Sequence, residues 1–243
     1  MADRWLVTGA CSGIGRAVVD AAVAAGESVL ALDVNDQVGQ TLAQQPGVRF
    51  EHLDVSDREA WLSLAASLSA DAVPNRVHLN AGIQIAPPDA PLAEYTLEAA
   101  TLENYRRMMG VNVDGVVFGL QALLPKLTDG TSIVVTGSLA GVVPYAVDPL
   151  YSLSKHAVTG LVRSMGEPLA ARGIRINALC PGGIDTAIIP LEQRVPAAVF
   201  MTPQHVAEEV RSLMEKSETG KTWAKVAQSK PIFVIRAPGD RSA

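Results

Sequence analysis

The sequence predicts an α/β domain built on a doubly wound, mostly parallel sheet of seven strands. Three observations carry this. Short apolar runs alternate with longer stretches of helical periodicity along nearly the whole chain. The first apolar run ends in a glycine-rich turn that opens a helix, and the second ends in an acidic residue. Strict alternation of strand and helix requires parallel strands joined by crossovers, and right-handed crossovers put helices on both faces of the sheet. Ligands in such a sheet bind beyond the C-terminal ends of the strands, so the residues just after each strand are where chemistry is expected.

Trp5 to Thr8 is a buried-strand pattern closed by Gly9. From Gly13 to Ala25, Ala17, Val18, Ala21, Ala22 and Ala25 fall on one side of a helix, with Gly26 as its stop. Ser28 to Leu32 is the second strand, ending at Asp33. The expected order then runs strand 48–53, helix 57–68, strand 77–80, a long helix within 102–127 and strand 133–136. It continues with helix 150–171, strand 174–179, helix 203–216 and a last strand at 222–226. Two stretches read as irregular: 85–101, and the tail 227–243.

A chain of 243 residues with 48% hydrophobic and 19% charged side chains fits one domain over 1–243, with a core that needs no staple. The net charge of −5 and the scattered Lys and Arg argue against a nucleic-acid partner. Cys11 and Cys180 have no Cys or His partner at ligand spacing, so no metal is expected and both thiols read as reduced. His52, His78, His156 and His205 form no metal-ligand grouping either. No signal peptide and no membrane-length apolar run is visible, which makes the cytoplasm the expected location.

The first strand runs into Thr8-Gly9-Ala10-Cys11-Ser12-Gly13-Ile14-Gly15. Glycines here permit a tight turn and close backbone approach, and the following helix directs free N–H groups and its positive dipole end at an anion. Gly9, Ser12, Gly13, Ile14 and Gly15 are therefore expected to hold the pyrophosphate of a dinucleotide, as in a Rossmann-type fold. Asp33 can accept both ribose hydroxyls of NAD and would repel a 2′-phosphate. Val34 and Asn35 offer no cation, and Arg16 lies past the turn, so NAD is expected over NADP. Asp54 and Val55 end the third strand and can meet the adenine. Alternatively, this segment caps the next helix.

Six motifs in order give the chain its resemblance to the short-chain dehydrogenase/reductase family, over residues 4 to about 226. They are the turn Thr8 to Gly15; Asn80-Ala81-Gly82; Asn112 in Asn112-Val113-Asp114-Gly115; Ser138 after the fifth strand; Tyr151 with Lys155; and Pro181-Gly182 with Thr186. The resemblance implies an NAD-dependent oxidoreductase that interconverts a secondary alcohol and a ketone. The implied catalytic set is Asn112, Ser138, Tyr151 and Lys155. The implied cofactor set adds Asn80, Ala81, Gly82, Pro181, Gly182, Ile184 and Thr186, with Lys155 reaching the nicotinamide ribose. It also implies a homo-oligomer, a dimer or tetramer.

Residue chemistry agrees. Tyr151 and Lys155 are four apart and share one helix face. A free tyrosine has a pKa near ~10, and a neighbouring ammonium favours the phenolate, which makes Tyr151 a credible proton shuttle. Ser138 can orient the reacting oxygen or simply cap a turn. Asn112 either kinks its helix and holds a water, as the family does, or is a buried structural amide. The segment 184–202 corresponds to the family's substrate lid. Ile188, Ile189, Leu191, Val195, Val199 and Phe200 make it apolar, implying a partly apolar substrate, with plain helix packing as the alternative.

The chain also departs from the pattern. Leu79 replaces the first asparagine of N-N-A-G, which weakens the case for polar bracing at that strand end. The 85–101 stretch is long, and the tail lacks the family's common D-G-G ending, leaving Trp223 and the tail as interface candidates. A cofactor-binding sensor without turnover would have a disabled Ser/Tyr/Lys set; here it is intact. A methyltransferase sheet would not call for the Tyr/Lys helix. An epimerase or dehydratase that retains NAD stays open.

Overall fold

The computed structural model describes residues 3–87, 89–189 and 200–237. In chain order the first half contains β1 (Arg4–Thr8), α1 (Gly13–Ala24), β2 (Ser28–Asp33), α2 (Asp36–Leu42), β3 (Val48–His52), α3 (Arg58–Ser67) and β4 (Arg76–Leu79). There follow α4 (Leu102–Met109), α5 (Gly115–Leu123), β5 (Ser132–Thr136) and α6 (Pro149–Ala170). The chain continues with β6 (Arg175–Pro181), α7 (Pro203–Glu215), β7 (Lys221–Lys225) and β8 (Phe233–Ile235). All the strands form one sheet in the order β3-β2-β1-β4-β5-β6-β7-β8. Strand order reverses between β1 and β4, so their C-terminal ends open the crevice where a ligand of a doubly wound sheet belongs.

The sheet is parallel from β3 to β7, as the alternating pattern requires. It has eight strands rather than seven. β8 pairs antiparallel with β7, Val234 opposite Trp223, within a tail expected to be irregular. A three-residue edge strand behind Pro231 carries too little periodicity to stand out. α2 is also absent from the sequence reading. It is short and contains Gly39, which lowers its propensity, but the Asn35 side chain caps it by accepting from the Val38 N–H at 3.1 Å. The long helix expected over 102–127 is α4 and α5 joined by a π-helical turn, Gly110–Asp114.

Alternation along each strand divides the core into two layers. On β1, Leu6 joins one layer, while Trp5 and Val7 join the other. The first layer packs the sheet against Trp61 of α3, Leu120 of α5 and Val162 of α6. The second packs it against Val18 and Val19 of α1 and Val210 and Leu213 of α7. Trp223 belongs to this second layer and is only 6% exposed, so it is a core residue and not a free interface side chain. No helix among the described residues is long and apolar enough to cross a membrane.

Candidate active site

The crevice is braced by hydrogen bonds between strand ends. The Thr8 hydroxyl accepts from the N–H groups of Asn80 (2.8 Å) and Ala81 (3.0 Å). Asn80 Nδ2 donates to the Thr8 carbonyl at 3.1 Å, and its Oδ1 accepts from the Thr136 hydroxyl at 3.0 Å. β1, β4 and β5 are thereby tied at their C-terminal ends. Polar bracing survives the departure at Leu79, which is buried, because Asn80 and Thr8 supply it.

The turn after β1 keeps α1 open at its N-terminus. Ser12 occupies the cap position without a side-chain cap bond, and the first turn has no acidic residue. Its N–H groups therefore remain free for an anion. Gly9 has φ +64°, and a Cβ on Gly15 would collide with the Gly9 carbonyl, so both positions require glycine. At the end of β2, Asp33 Oδ2 accepts from the Cys11 N–H at 2.9 Å and Oδ1 from the Asn35 N–H at 3.0 Å. Each oxygen keeps a lone pair for a further donor. Arg16 is paired with Asp20 at 2.9 Å rather than with Asp33. Burial and the Asp33 carboxylate push the Cys11 thiol up to about 12, so it stays protonated at neutral pH.

One cavity of about 670 Å³ joins this turn to the other candidate residues. Its wall includes Gly9, Ser12, Gly13, Ile14, Asn80, Ala81, Gly82, Ser138, Tyr151, Lys155, Pro181, Gly182, Ile184 and Thr186. Gly15 and Asn112 stand behind the wall. Asp33 follows the same strand-end edge on β2. Asp54, just past β3, binds its own loop, accepting from the Ser56 N–H at 2.9 Å and the Ser56 hydroxyl at 2.7 Å. Val55 is buried, and its carbonyl accepts from Trp61 Nε1 at 3.0 Å. The cap of α3 is Asp57, which accepts from the Glu59 and Ala60 N–H groups.

α6 presents the Tyr/Lys pair. It starts at Pro149, and the Asp148 carboxylate caps it by accepting from the Tyr151 N–H at 2.8 Å. Lys155 is buried, and its Nζ donates to the Thr136 carbonyl at 3.0 Å. Burial pulls its ammonium down to about 8. Nζ lies 5.7 Å from the centre of the Tyr151 ring. Ser138 lines the cavity together with Tyr151, and its hydroxyl accepts from the Ala140 N–H at 3.1 Å. Burial pushes the Tyr151 phenol above its ordinary value, with the Ser138 hydroxyl acting against it. This direction is opposite to the one expected from the nearby ammonium, because the loss of water around the ring outweighs it.

Asn112 sits in the π turn, fully buried, and bonds to the backbone of Ile83 and to Ser154 Oγ. Of the expected lid, Ile184 to Ile189 and Phe200 to Thr202 are described. Ile184 pairs with Met201 in an isolated bridge, and Ile188, Ile189 and Phe200 line the cavity. Leu191, Val195 and Val199 lie outside the described residues. From the long 85–101 stretch, Ala86 lines the cavity and Ile85 packs in the same core cluster as Tyr151. Sequence reasoning missed Asp148, although an acidic residue before proline at a helix start is a cap signal. It also missed Gln84 and Arg107 on the cavity wall, for which no motif existed.

The chain is 36% identical over 191 residues to 2,5-dichloro-2,5-cyclohexadiene-1,4-diol dehydrogenase of Sphingobium indicum, covering 76% of this chain and 73% of the relative. It is 30% identical to 3-alpha-(or 20-beta)-hydroxysteroid dehydrogenase of Mycobacterium tuberculosis, covering 81% of this chain and 74% of the relative. Among solved structures, it resembles a protein described as an NAD(P)-dependent gluconate 5-dehydrogenase from Beutenbergia cavernae, with NADP bound at low occupancy. The TM-score is 0.78 at 29% identity, covering 92% of this chain and 95% of that one. Residues 4–194 match the family model for short chain dehydrogenases, a stretch that begins at β1 and runs past the Tyr151/Lys155 helix. With the strand order, the glycine turn and the Ser/Tyr/Lys cluster in register with that match, the chain belongs to the short-chain dehydrogenase/reductase family of oxidoreductases.

Proposed function

We propose that the protein is an NAD-preferring oxidoreductase that interconverts a secondary alcohol and a ketone, with Tyr151 moving the proton at the substrate oxygen. The observation that carries this reading is the meeting of Ser138, Tyr151 and Lys155 on the wall of the cavity that also holds the glycine turn. A bound nicotinamide supplies the hydride acceptor or donor. The uncapped N–H groups of α1 would hold the pyrophosphate and Asp33 the adenosine ribose. Two of the three Lys155 N–H donors have no partner among the described residues and would hold the nicotinamide ribose.

In the reducing direction the protonated phenol of Tyr151 donates to the carbonyl oxygen, and in the oxidising direction its phenolate accepts the alcohol proton. Ser138 orients that oxygen from within hydrogen-bond reach of Tyr151. Ile83, Leu139, Val143, Ile188, Ile189 and Phe200 give the cavity an apolar wall that excludes water and suits a substrate with apolar surface. Relatives named for a cyclohexadienediol and for hydroxysteroids accord with such a wall. NADP on a structural neighbour shows that related proteins take the phosphorylated cofactor. The preference proposed here therefore rests on Asp33.

Titration with NADH and NADPH, followed by cofactor fluorescence, tests that preference. NADH is expected to bind at least tenfold more tightly, because a phosphate beside a carboxylate meets like charge. Equal affinities would remove the assignment. Turnover of secondary alcohols with NAD, followed by absorbance of the reduced cofactor, tests the reaction.

A further inference from the structure

Gln84 and Arg107 lie on the cavity wall, and the reading above gives neither a role. Both adjoin Ile85. Gln84 precedes Ile85, and Arg107 Nη2 donates to the Ile85 carbonyl at 3.3 Å. The Ile85 N–H donates to Asp148 Oδ2 at 3.1 Å, and Asp148 Oδ1 accepts from the Tyr151 N–H. This run of contacts ties the guanidinium to the part of the wall next to Tyr151.

The charge balance of the cavity is one-sided. Among its described lining residues, Lys155 and Arg107 are the only cations, and there is no Asp or Glu. Lys155 is held by the Thr136 carbonyl and serves the catalytic cluster. Arg107 is exposed, with a single hydrogen bond among the described residues, and a guanidinium carries five N–H donors in a fixed fork. No described carboxylate pairs with it. Gln84 is 5% exposed, and its Oε1 is buried without a hydrogen-bond partner. Gln84 also lines the cavity, and its amide has two further N–H donors at Nε2. Two sets of donors with no acid between them are matched by an acceptor that carries negative charge.

We propose that Arg107 and Gln84 form a carboxylate-reading subsite, so that the preferred substrate is a secondary alcohol or ketone with a carboxylate on an apolar frame. This inference rests on the oxidoreductase reading for its reacting group. The apolar wall takes the frame, Ser138 and Tyr151 take the hydroxyl or carbonyl oxygen, and the fork of Arg107 takes the carboxylate.

The test uses 3- and 4-hydroxycyclohexanecarboxylates beside their methyl esters, which keep the frame and remove the charge. kcat/KM for at least one acid is expected to exceed that of its ester by about tenfold or more at low salt, as for charge-assisted hydrogen bonds. The ratio should shrink as salt is raised, because Arg107 is exposed and screened. Arg107→Met should bring the ratio close to one, Arg107→Lys should retain part of it, and Gln84→Leu should lower it. Arg106→Met, on the exposed neighbour that does not line the cavity, should leave the ratio unchanged. Esters turned over as well as acids by the wild-type protein would overturn the proposal, as would an Arg107→Met variant that lowers both alike. A protein that turns over no alcohol would fail the oxidoreductase reading. The subsite is then judged by dissociation constants of the same acid–ester pairs for the NADH-loaded protein: tighter acid binding that Arg107→Met abolishes supports it, and equal affinities overturn it.

Discussion

The side-chain amide of Asn112 satisfies both backbone polar groups of Ile83: Oδ1 accepts from the Ile83 N–H at 2.8 Å, and Nδ2 donates to the Ile83 carbonyl at 2.9 Å. A side chain here does the work of a neighbouring strand. It locks the segment after β4 against the π turn, and the second Nδ2 hydrogen reaches Ser154 Oγ at 3.0 Å on α6. Asn112→Ala strips partners from two backbone groups at once. At 1–3 kcal/mol for each group left unsatisfied, the loss for the two is expected to be roughly 2–6 kcal/mol. Urea unfolding of the two proteins measures it. A loss below about 1 kcal/mol would mean that water replaces the amide and that the lock is weak.

In the proposed mechanism Tyr151 and Ser138 act on the same oxygen, so their effects should not add. Tyr151→Phe removes the proton carrier, and turnover should fall by about 10²–10⁴-fold. NADH affinity should hold, because the ring still fills its buried place. Ser138→Ala should lower turnover by a smaller factor. In the double variant the combined loss should be less than the product of the two single factors. Near-normal turnover in Tyr151→Phe would assign the proton to another group.

What was legible in the sequence was whatever repeats along it. Trp5 and Val7 on one side and Leu6 on the other give β1 its period of two, and the same alternation marks β5 and β6. Tyr151 and Lys155 were legible because four residues is one helical step. The illegible parts depend on contacts between distant segments. β8 owes its existence to the exposed edge of β7, and nothing in Phe233-Val234-Ile235 alone distinguishes an edge strand from a tail. The direction of the Tyr151 shift depends on how completely the ring is desolvated, which is a property of the closed wall. Gln84 and Arg107 are separated in sequence by the 85–101 stretch and reach one cavity wall, where Arg107 bonds to the carbonyl of Ile85.

His78 should make the protein sensitive to acid. It is fully buried on β4, its Nε2 is 2.9 Å from the Thr136 hydroxyl, and burial pulls its pKa down to about 3. In the unfolded chain it titrates near ~6.5, so between those values the unfolded state holds a proton that the folded state refuses. The sign follows: stability contributed by the neutral imidazole is fully present above ~6.5 and is lost as pH falls toward 3. Other groups titrate in the same range, so the diagnostic quantity is the difference between wild type and His78→Leu. That difference should move in favour of the variant by about 2.5 kcal/mol between pH 7 and pH 4.5. A constant difference over that range would show that the ring takes up its proton without unfolding.

Asp148 supports two elements with one carboxylate, Oδ1 for the Tyr151 N–H and Oδ2 for the Ile85 N–H. Asp148→Asn therefore separates its structural and positioning effects. The amide has one acceptor oxygen, so one of the two N–H groups must face an NH₂, which costs about 1–3 kcal/mol. Against this, burial raises the Asp148 pKa despite the bonds, so the carboxylate itself is held at a cost that the neutral amide does not carry. The two contributions oppose each other, and stability should change by no more than about 1–2 kcal/mol in either direction. Turnover has no such compensation. Losing either bond frees the first turn of α6, which carries Tyr151, or the Ile85 segment of the cavity wall. Displacement of about an ångström can cost 10²-fold, so kcat should fall by about tenfold or more while the NADH dissociation constant stays near the wild-type value. Steady-state kinetics beside cofactor titration distinguishes the outcomes: a fall in kcat matched by an equal loss of NADH affinity would make Asp148 a residue of the fold alone.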